Sequence, residues 1–228
     1  MLYIVSTPIG NMSDLSQRAK DAFLEADIIL SEDTRQTLKI LSYLNIRGKK
    51  IMSCNEHCGE TKLAKILGQL SKDCHGVFCS DAGTPNVSDP GGRVVEEALK
   101  RNIKIVPIPG PSALTTLISA CPFSCSNFVF LGYFPKKKGR QKTIELIRQT
   151  ESPVFFLESP HRIIKTLKLL QESFQESYTI VIGRELTKYF EQIIVSDLDK
   201  LEINSVMPKG EFILCLKAME STASTCCK

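Results

Sequence analysis

With 228 residues, 43% of them hydrophobic and 24% charged, the chain can bury one large core or two small ones and is neither disordered nor fibrous. Its formal net charge of +4 permits a polyanionic partner without demanding one. No stretch approaches the roughly 20 uninterrupted apolar residues that span a bilayer, and the start "MLYIVSTPIGN" lacks a basic leader region, so a cytoplasmic protein is expected.

One rhythm repeats along the first half. "LYIVS" reads as a strand, "LSQRAKDAFLEA" as a helix, "DIILS" as a strand, "RQTLKILSYL" as a helix, "KKIMS" as a strand and "ETKLAKILGQL" as a helix with apolar residues at helical spacing. "GVFCS", "GRVVEEALKR", "IKIVPI" and "SALTTLISA" continue it. Such alternation predicts βα crossovers and a largely parallel sheet covered on both faces. The stretch "CPFSCSN" breaks the rhythm and sets an expected boundary, with domains over 1–121 and 122–228. Beyond it come "FVFLGYF", a basic helix, "PVFFLES", a helix from "PHRIIKTLKLL", then "YTIVIGRE", "YFEQIIVSD" and "EFILCLKA". The last two strands lack a helix long enough for a crossover between them, which predicts a mixed second sheet.

Nine cysteines, among them "CNEHC" (Cys54 to Cys58) followed by Cys74 and His75, raise the question of a metal. No C-x2-C knuckle occurs and the spacing is irregular, so reduced structural thiols are expected and no metal site is assigned. The odd count argues against a disulfide framework, and Cys226 and Cys227 read as part of a frayed tail.

Four loops rich in glycine, proline and polar residues follow strands: "TPIGN", "SDAGTPNVSDPGGR", "PIPGPSA" and "ESPHR". In the second, Asp89 is the expected cap of the next helix and Pro90 its first residue; Pro111 and Pro160 repeat the design. Any one such loop can be a plain turn, but four at strand carboxyl ends favour a ligand site. Neither G-x-x-x-x-G-K-[ST] nor G-x-G-x-x-G is present. The second loop offers Asp81 and Asp89 with no lysine, which suits an amine, hydroxyls or a positive charge better than phosphates. S-adenosylmethionine, with its sulfonium, ammonium and ribose, fits.

"TPIGN", "SEDTR", "SDAGTPNVSDPGGR", "PIPGPSAL", "FLGYFPKK", "ESPHR" and "RELTK" occur in the order and approximate spacing of the bacterial ribosomal RNA small subunit methyltransferase I family, which the chain resembles from Leu2 to about Lys217. The resemblance implies 2'-O-methylation of a cytidine in the decoding region of 16S ribosomal RNA, with S-adenosylmethionine as donor. It also implies two α/β domains of the tetrapyrrole methylase (class III methyltransferase) type, the cofactor in the interdomain cleft, and a homodimer. Position by position, it places the cofactor against Pro8, Ser80, Asp81, Ala82, Gly83, Val87, Ser88, Ser112, Ala113, Leu157, Glu158 and Leu186, with main chain near Glu185. Asn86 stands where the family more often has an aliphatic residue or glycine, and Asn55 where a histidine or aromatic residue is usual. Many relatives also continue past "KGEFILCL" into a small helical extension.

On the acceptor side, a ribose hydroxyl must lose its proton to a base or be stabilised as an incipient alkoxide. Glu32, Asp33 and Glu185 are candidates for orientation or proton acceptance, and Arg35, Arg162 and Lys188 for charge stabilisation or phosphate contact, with His161 alongside. The run "KKKGRQK" places Lys136, Lys137, Lys138 and Arg140 at the start of a predicted helix, where the dipole disfavours cations. With Tyr133 and Phe134 just before it, the run suits RNA phosphates and base stacking. Two other readings stay open: a methylase of small tetrapyrrole-like or peptide substrates, and a non-catalytic RNA-binding factor.

Overall fold

The computed structural model describes residues 1–55, 58–70, 74–89, 91–174 and 178–219. Two units divide it, Met1–Ser112 and Ala113–Lys228.

The first unit runs β1 (Leu2–Val5), α1 (Gln17–Glu25), β2 (Ile28–Ser31), α2 (Thr34–Tyr43), β3 (Lys50–Ser53), α3 (Glu60–Leu67), β4 (Gly76–Cys79), α4 (Gly91–Lys100) and β5 (Ile105–Ile108). Its strands form one parallel sheet in the order β3-β2-β4-β1-β5. Period-2 alternation sends successive side chains to opposite faces. Val5, Ile29, Val77 and Cys79 meet α1 and α2 through Ala19, Phe23, Ile40 and Leu41. Leu2, Leu30 and Phe78 meet α3 and α4 through Leu63, Leu67, Val94 and Ala98. Phe23 and Phe78 are fully buried on opposite faces, and truncating either to alanine would cost about 3–5 kcal/mol.

This two-faced winding positions the site. The chains leaving β1 and β2 turn to one face and the chain leaving β4, their common neighbour, turns to the other. The loops therefore diverge above the carboxyl end of β4, the arrangement that opens a crevice in doubly wound sheets.

The second unit runs α5 (Ala113–Ile118), β6 (Val129–Tyr133), α6 (Arg140–Gln149), β7 (Val154–Glu158), α7 (Ile163–Ser173), β8 (Tyr178–Arg184), β9 (Gln192–Asp197) and β10 (Phe212–Ala218). The order is β6-β7-β10-β8-β9, parallel between β6 and β7 and antiparallel elsewhere, the mixed sheet expected. Its main core packs α6 and α7, through Ile144, Ile147, Leu167 and Leu170, onto Phe156, Ile180, Ile182 and Leu214. Helix α5 groups with this unit, ahead of the Cys121 boundary suggested by the sequence, because Leu117 is fully buried against Gly183 of β8.

Several local expectations shift. Helix α4 is described over Gly91–Lys100, and Pro90, the expected first residue, lies outside the described residues, as do Glu56, His57, Cys226 and Cys227. Pro160 sits in the turn before α7, whose N-cap is Arg162. Lys136, Lys137 and Lys138 precede α6 instead of opening it, because Gly139 at φ +94° turns the chain into the helix. The described cysteines are free thiols, and burial pushes Cys54 and Cys79 up to about 12. Among the described residues no helix is long and apolar enough to cross a membrane.

Candidate active site

At the carboxyl edge of the first sheet, main chain and hydroxyls lace three loops together. Thr7 and Gly83 exchange N–H···O bonds of 3.0 and 2.9 Å in an antiparallel bridge, and the Thr7 hydroxyl donates to Ser80 O at 3.2 Å. Ser6 Oγ donates to Thr84 Oγ1 at 3.1 Å, which in turn donates to Pro111 O at 3.2 Å. Gly83 holds φ +81°, a backbone conformation free of strain only for glycine. Ser80 and Pro8 are buried beneath this lacing, while Asp81, Ala82, Val87 and Ser88 are exposed above it and Ser112 is half-buried.

The "SEDTR" loop is tied to the same edge. Asp33 N–H donates to Asp81 Oδ1 at 2.8 Å. The Asp33 carboxylate caps α2 by accepting Arg35 N–H at 2.9 Å and the Arg35 guanidinium at 2.6 Å. Those hydrogen bonds hold the Asp33 carboxyl down at about 2. Asp33 therefore stays ionised and engaged, which suits orientation and makes it a poor proton acceptor. Arg35 keeps 84% of its side chain exposed and remains able to meet an anion. Glu32 is half-buried between buried Ser31 and the capping Asp33, so its backbone is fixed on both sides.

Asp89 sits half-buried close to Asp81, and its carboxyl is raised by burial and by the Asp81 charge, with the Ser80 hydroxyl acting in the opposite sense. Two carboxylates on one loop, with no lysine or arginine between Cys79 and Asp89, fit a cationic ligand better than an anionic one. The donor set thus suits the sulfonium and ammonium of S-adenosylmethionine.

In the second unit, antiparallel pairing of β7 and β8 to the same strand makes β6, β7 and β8 run in one direction, so their carboxyl ends share an edge. Glu158 and Arg184 both pair with Phe212, and Arg184 with Gln192. Along this edge lie half-buried Leu157, buried Glu158, exposed His161, and buried Leu186; Ala113, at the start of α5, is half-buried.

Glu158 is a structural hub. One oxygen accepts Ser159 N–H and pairs with Arg162 Nη2, each at 2.6 Å, and the other accepts the Thr166 hydroxyl at 2.6 Å. Arg162 also donates to Phe134 O at 2.9 Å and Ser159 Oγ at 3.2 Å. The phosphate contact expected of Arg162 is thus replaced by an inward role, because its guanidinium neutralises a carboxylate that has no solvent exposure. Phe134 is likewise corrected: its ring is 1% exposed and packs on Phe156 at 5.2 Å, so only Tyr133 faces outward.

The "RELTK" turn is pinned from a distance. Glu185, at φ +50°, accepts Lys188 Nζ at 2.8 Å and Glu211 N–H at 2.9 Å. Burial raises the Glu185 carboxyl, but these two bonds outweigh it and leave it lowered. Burial lowers the Lys188 ammonium, and its bonds to Glu185 and Glu211 reverse that into a rise. Lys188 is therefore held as a brace. Gly210, at φ +92°, is required there because a Cβ would sit 2.4 Å from Glu185 Cγ.

Lys136, Lys137 and Lys138 are exposed, and none joins an ion pair among the described residues; Arg140 donates to Pro135 O at 3.1 Å. Sequence reasoning did not single out Thr7, Thr84, Gly210 or Glu211. Their strand-end positions were visible, but their partners lie far off in the chain.

The tetrapyrrole (corrin/porphyrin) methylase family model matches residues 1–202. A Leptospira biflexa protein named ribosomal RNA small subunit methyltransferase I is 38% identical over 95% of this chain and 90% of its own length. A Borrelia garinii protein of the same name is 39% identical over 97% of this chain and 100% of its own. A crystal structure of diphthine synthase superposes with a TM-score of 0.72 at 13% identity, over 95% of this chain and 89% of that one, which is a likeness of fold.

Proposed function

Because the chain belongs to the tetrapyrrole (corrin/porphyrin) methylase family, we propose that it is an S-adenosylmethionine-dependent methyltransferase of small-subunit ribosomal RNA. In this reading the acceptor is the ribose 2'-hydroxyl of a cytidine in the decoding region of 16S RNA, and the working form is a cytoplasmic homodimer. The observation that carries it is the convergence of "TPIGN", "SEDTR", "SDAGTP" and "PIPGP" on one sheet edge, in a chain 38% identical to a named relative.

S-adenosylmethionine, when bound, supplies a methyl group made electrophilic by a cationic sulfur. Pro8, Ser80, Asp81, Ala82, Gly83, Val87, Ser88 and Ser112 of the first unit hold it. Asp81 and Asp89 favour its positive charge. Glu158 keeps its loop rigid through Arg162 and Thr166. Glu32 orients the ribose hydroxyl and accepts its proton, a role that general-base catalysis values at about 10²–10⁴-fold. Asp33 fixes Arg35, which contacts the RNA phosphates with Lys136, Lys137, Lys138 and His161. Holding acceptor and donor collinear supplies several further kcal/mol of the barrier.

The test maps ribose 2'-O-methylation across ribosomal RNA from cells with and without the gene, and repeats the transfer with purified protein, tritiated donor and small subunits. One site should lose its mark and regain it in vitro. Unchanged maps and no tritium incorporation would remove the proposal.

A further inference from the structure

Tyr189 and Phe190 form the turn between β8 and β9, and their rings are 94% and 67% exposed. They stack edge to face, with centroids 5.0 Å apart and planes at 89°. The main chain that carries them is held in place. Arg184 Nη1 donates to Phe190 O at 3.2 Å, Glu191 N–H donates to Lys188 O at 3.0 Å, and Glu191 Oε2 accepts Thr187 N–H. The Glu185, Lys188 and Glu211 brace closes the turn from behind. A mutually packed pair on a fixed turn, with an open ring face, loses less entropy than two independent side chains when something flat stacks on it.

The sheet says what that partner is. The turn leaves the same edge that carries Lys136, Lys137 and Lys138 after β6 and His161 after β7. Three strand intervals separate β6 from β8 in the order β6-β7-β10-β8, about 14 Å at the usual strand spacing. Cations at one end and an aromatic platform at the other, both exposed, reproduce the two components of single-strand recognition within reach of a few nucleotides. We propose that Tyr189 and Phe190 are a stacking site for an unpaired RNA base, on a strand whose phosphates lie over Lys136, Lys137 and Lys138. This rests on the RNA-methylating reading and adds to it the form of the substrate: single-stranded at this edge.

The test uses the full chain with a short oligocytidylate, and with an oligomer of equal length carrying abasic riboses. Replacing both rings, Tyr189→Leu with Phe190→Leu, should weaken oligocytidylate binding about tenfold, equivalent to about 1.4 kcal/mol, with an unchanged salt slope and no effect on the abasic oligomer. Changing Lys136, Lys137 and Lys138 together to Gln should flatten the salt slope for both oligomers. Tyr189→Trp, in a chain with no other tryptophan, should retain wild-type affinity and be quenched by oligocytidylate but not by the abasic oligomer. Equal oligocytidylate affinity in the double leucine variant, or an unquenched tryptophan, overturns the stacking site while leaving the RNA reading intact. Loss of self-association in sedimentation, with RNA affinity unchanged, overturns it in favour of an interface between copies that continues over Ile193 and Val195 of β9. Wild-type protein that binds neither oligomer nor small subunits overturns both readings.

Discussion

Asp81 Oδ1 accepts the main-chain N–H of Asp33 at 2.8 Å, joining loops 48 residues apart. One carboxylate thus shapes the donor loop and holds the start of α2, so its charge and its acceptor oxygen can be tested separately. Asp81→Asn keeps an acceptor and should leave the melting temperature close to wild type, yet weaken S-adenosylmethionine binding about tenfold through loss of negative charge near a cation. Asp81→Ala should lower both. Calorimetry and thermal unfolding check this, with Asp14→Asn on an exposed turn as control. Unaltered donor affinity in Asp81→Asn would mean that the charge does not act on the ligand.

The Glu158 and Arg162 pair gives a second expectation. With the Glu158 side chain fully buried, Arg162→Met should destabilise the second unit by about 3–5 kcal/mol, because a carboxylate loses its counter-charge. Adding Glu158→Gln should recover much of that loss, since the remaining amide can still bond Ser159 N–H and the Thr166 hydroxyl. Urea unfolding of the four proteins measures the coupling. A surface phosphate ligand would instead leave stability unchanged and reduce only RNA affinity.

These roles mark where the sequence stops being legible. The alternation of elements could be read because most of the strands are short apolar runs and most of the helices carry a buried stripe, as Leu63, Ile66 and Leu67 do on α3. The loops could be found because glycine and proline mark strand ends. Which charged residue faces inward could not, since the partners of Asp33, Arg162 and Lys188 include Asp81, the Phe134 carbonyl and Glu211, none at a local spacing. Phe134 misleads for the same reason: it is one residue past β6, where its N–H bonds Leu157 O and its ring turns into the core.

The "RELTK" brace should register in acid. Glu185 is lowered from its ordinary 4.5, so the stability it contributes is present above that pH and is lost as pH falls through its depressed value. Lys188, raised from 10.5, contributes below that pH and loses its contribution as pH rises through the elevated value. Glu185→Gln should therefore flatten the acid limb of the stability curve below about pH 4.5 and blunt the alkaline limb as well, through loss of the partner of Lys188. Urea midpoints across pH decide it. An acid limb identical to wild type would show that the brace adds nothing to folding.

Chemistry at the acceptor comes down to Glu32 against Lys188, and the two differ in how they are held. Lys188 is bound to two carboxylates and braces the turn, so freeing it for a developing alkoxide would break the Glu185 and Glu211 contacts. Lys188→Met should thus weaken RNA binding by loosening the turn, with the rate at saturation within about threefold of wild type, as expected when only binding is lost. Glu32 sits on rigid backbone beside Asp33, whose own carboxyl at about 2 leaves it a poor base at neutral pH. Glu32→Gln keeps size and hydrogen bonding but removes the proton acceptor, so its saturated single-turnover rate should fall about 10²-fold or more while both dissociation constants hold. Single-turnover conditions matter because slow release of methylated RNA would hide a change in the chemical step. A Glu32→Gln variant at wild-type rate, with Lys188→Met slow at saturation, would transfer the role to the lysine and require the brace to open during the reaction.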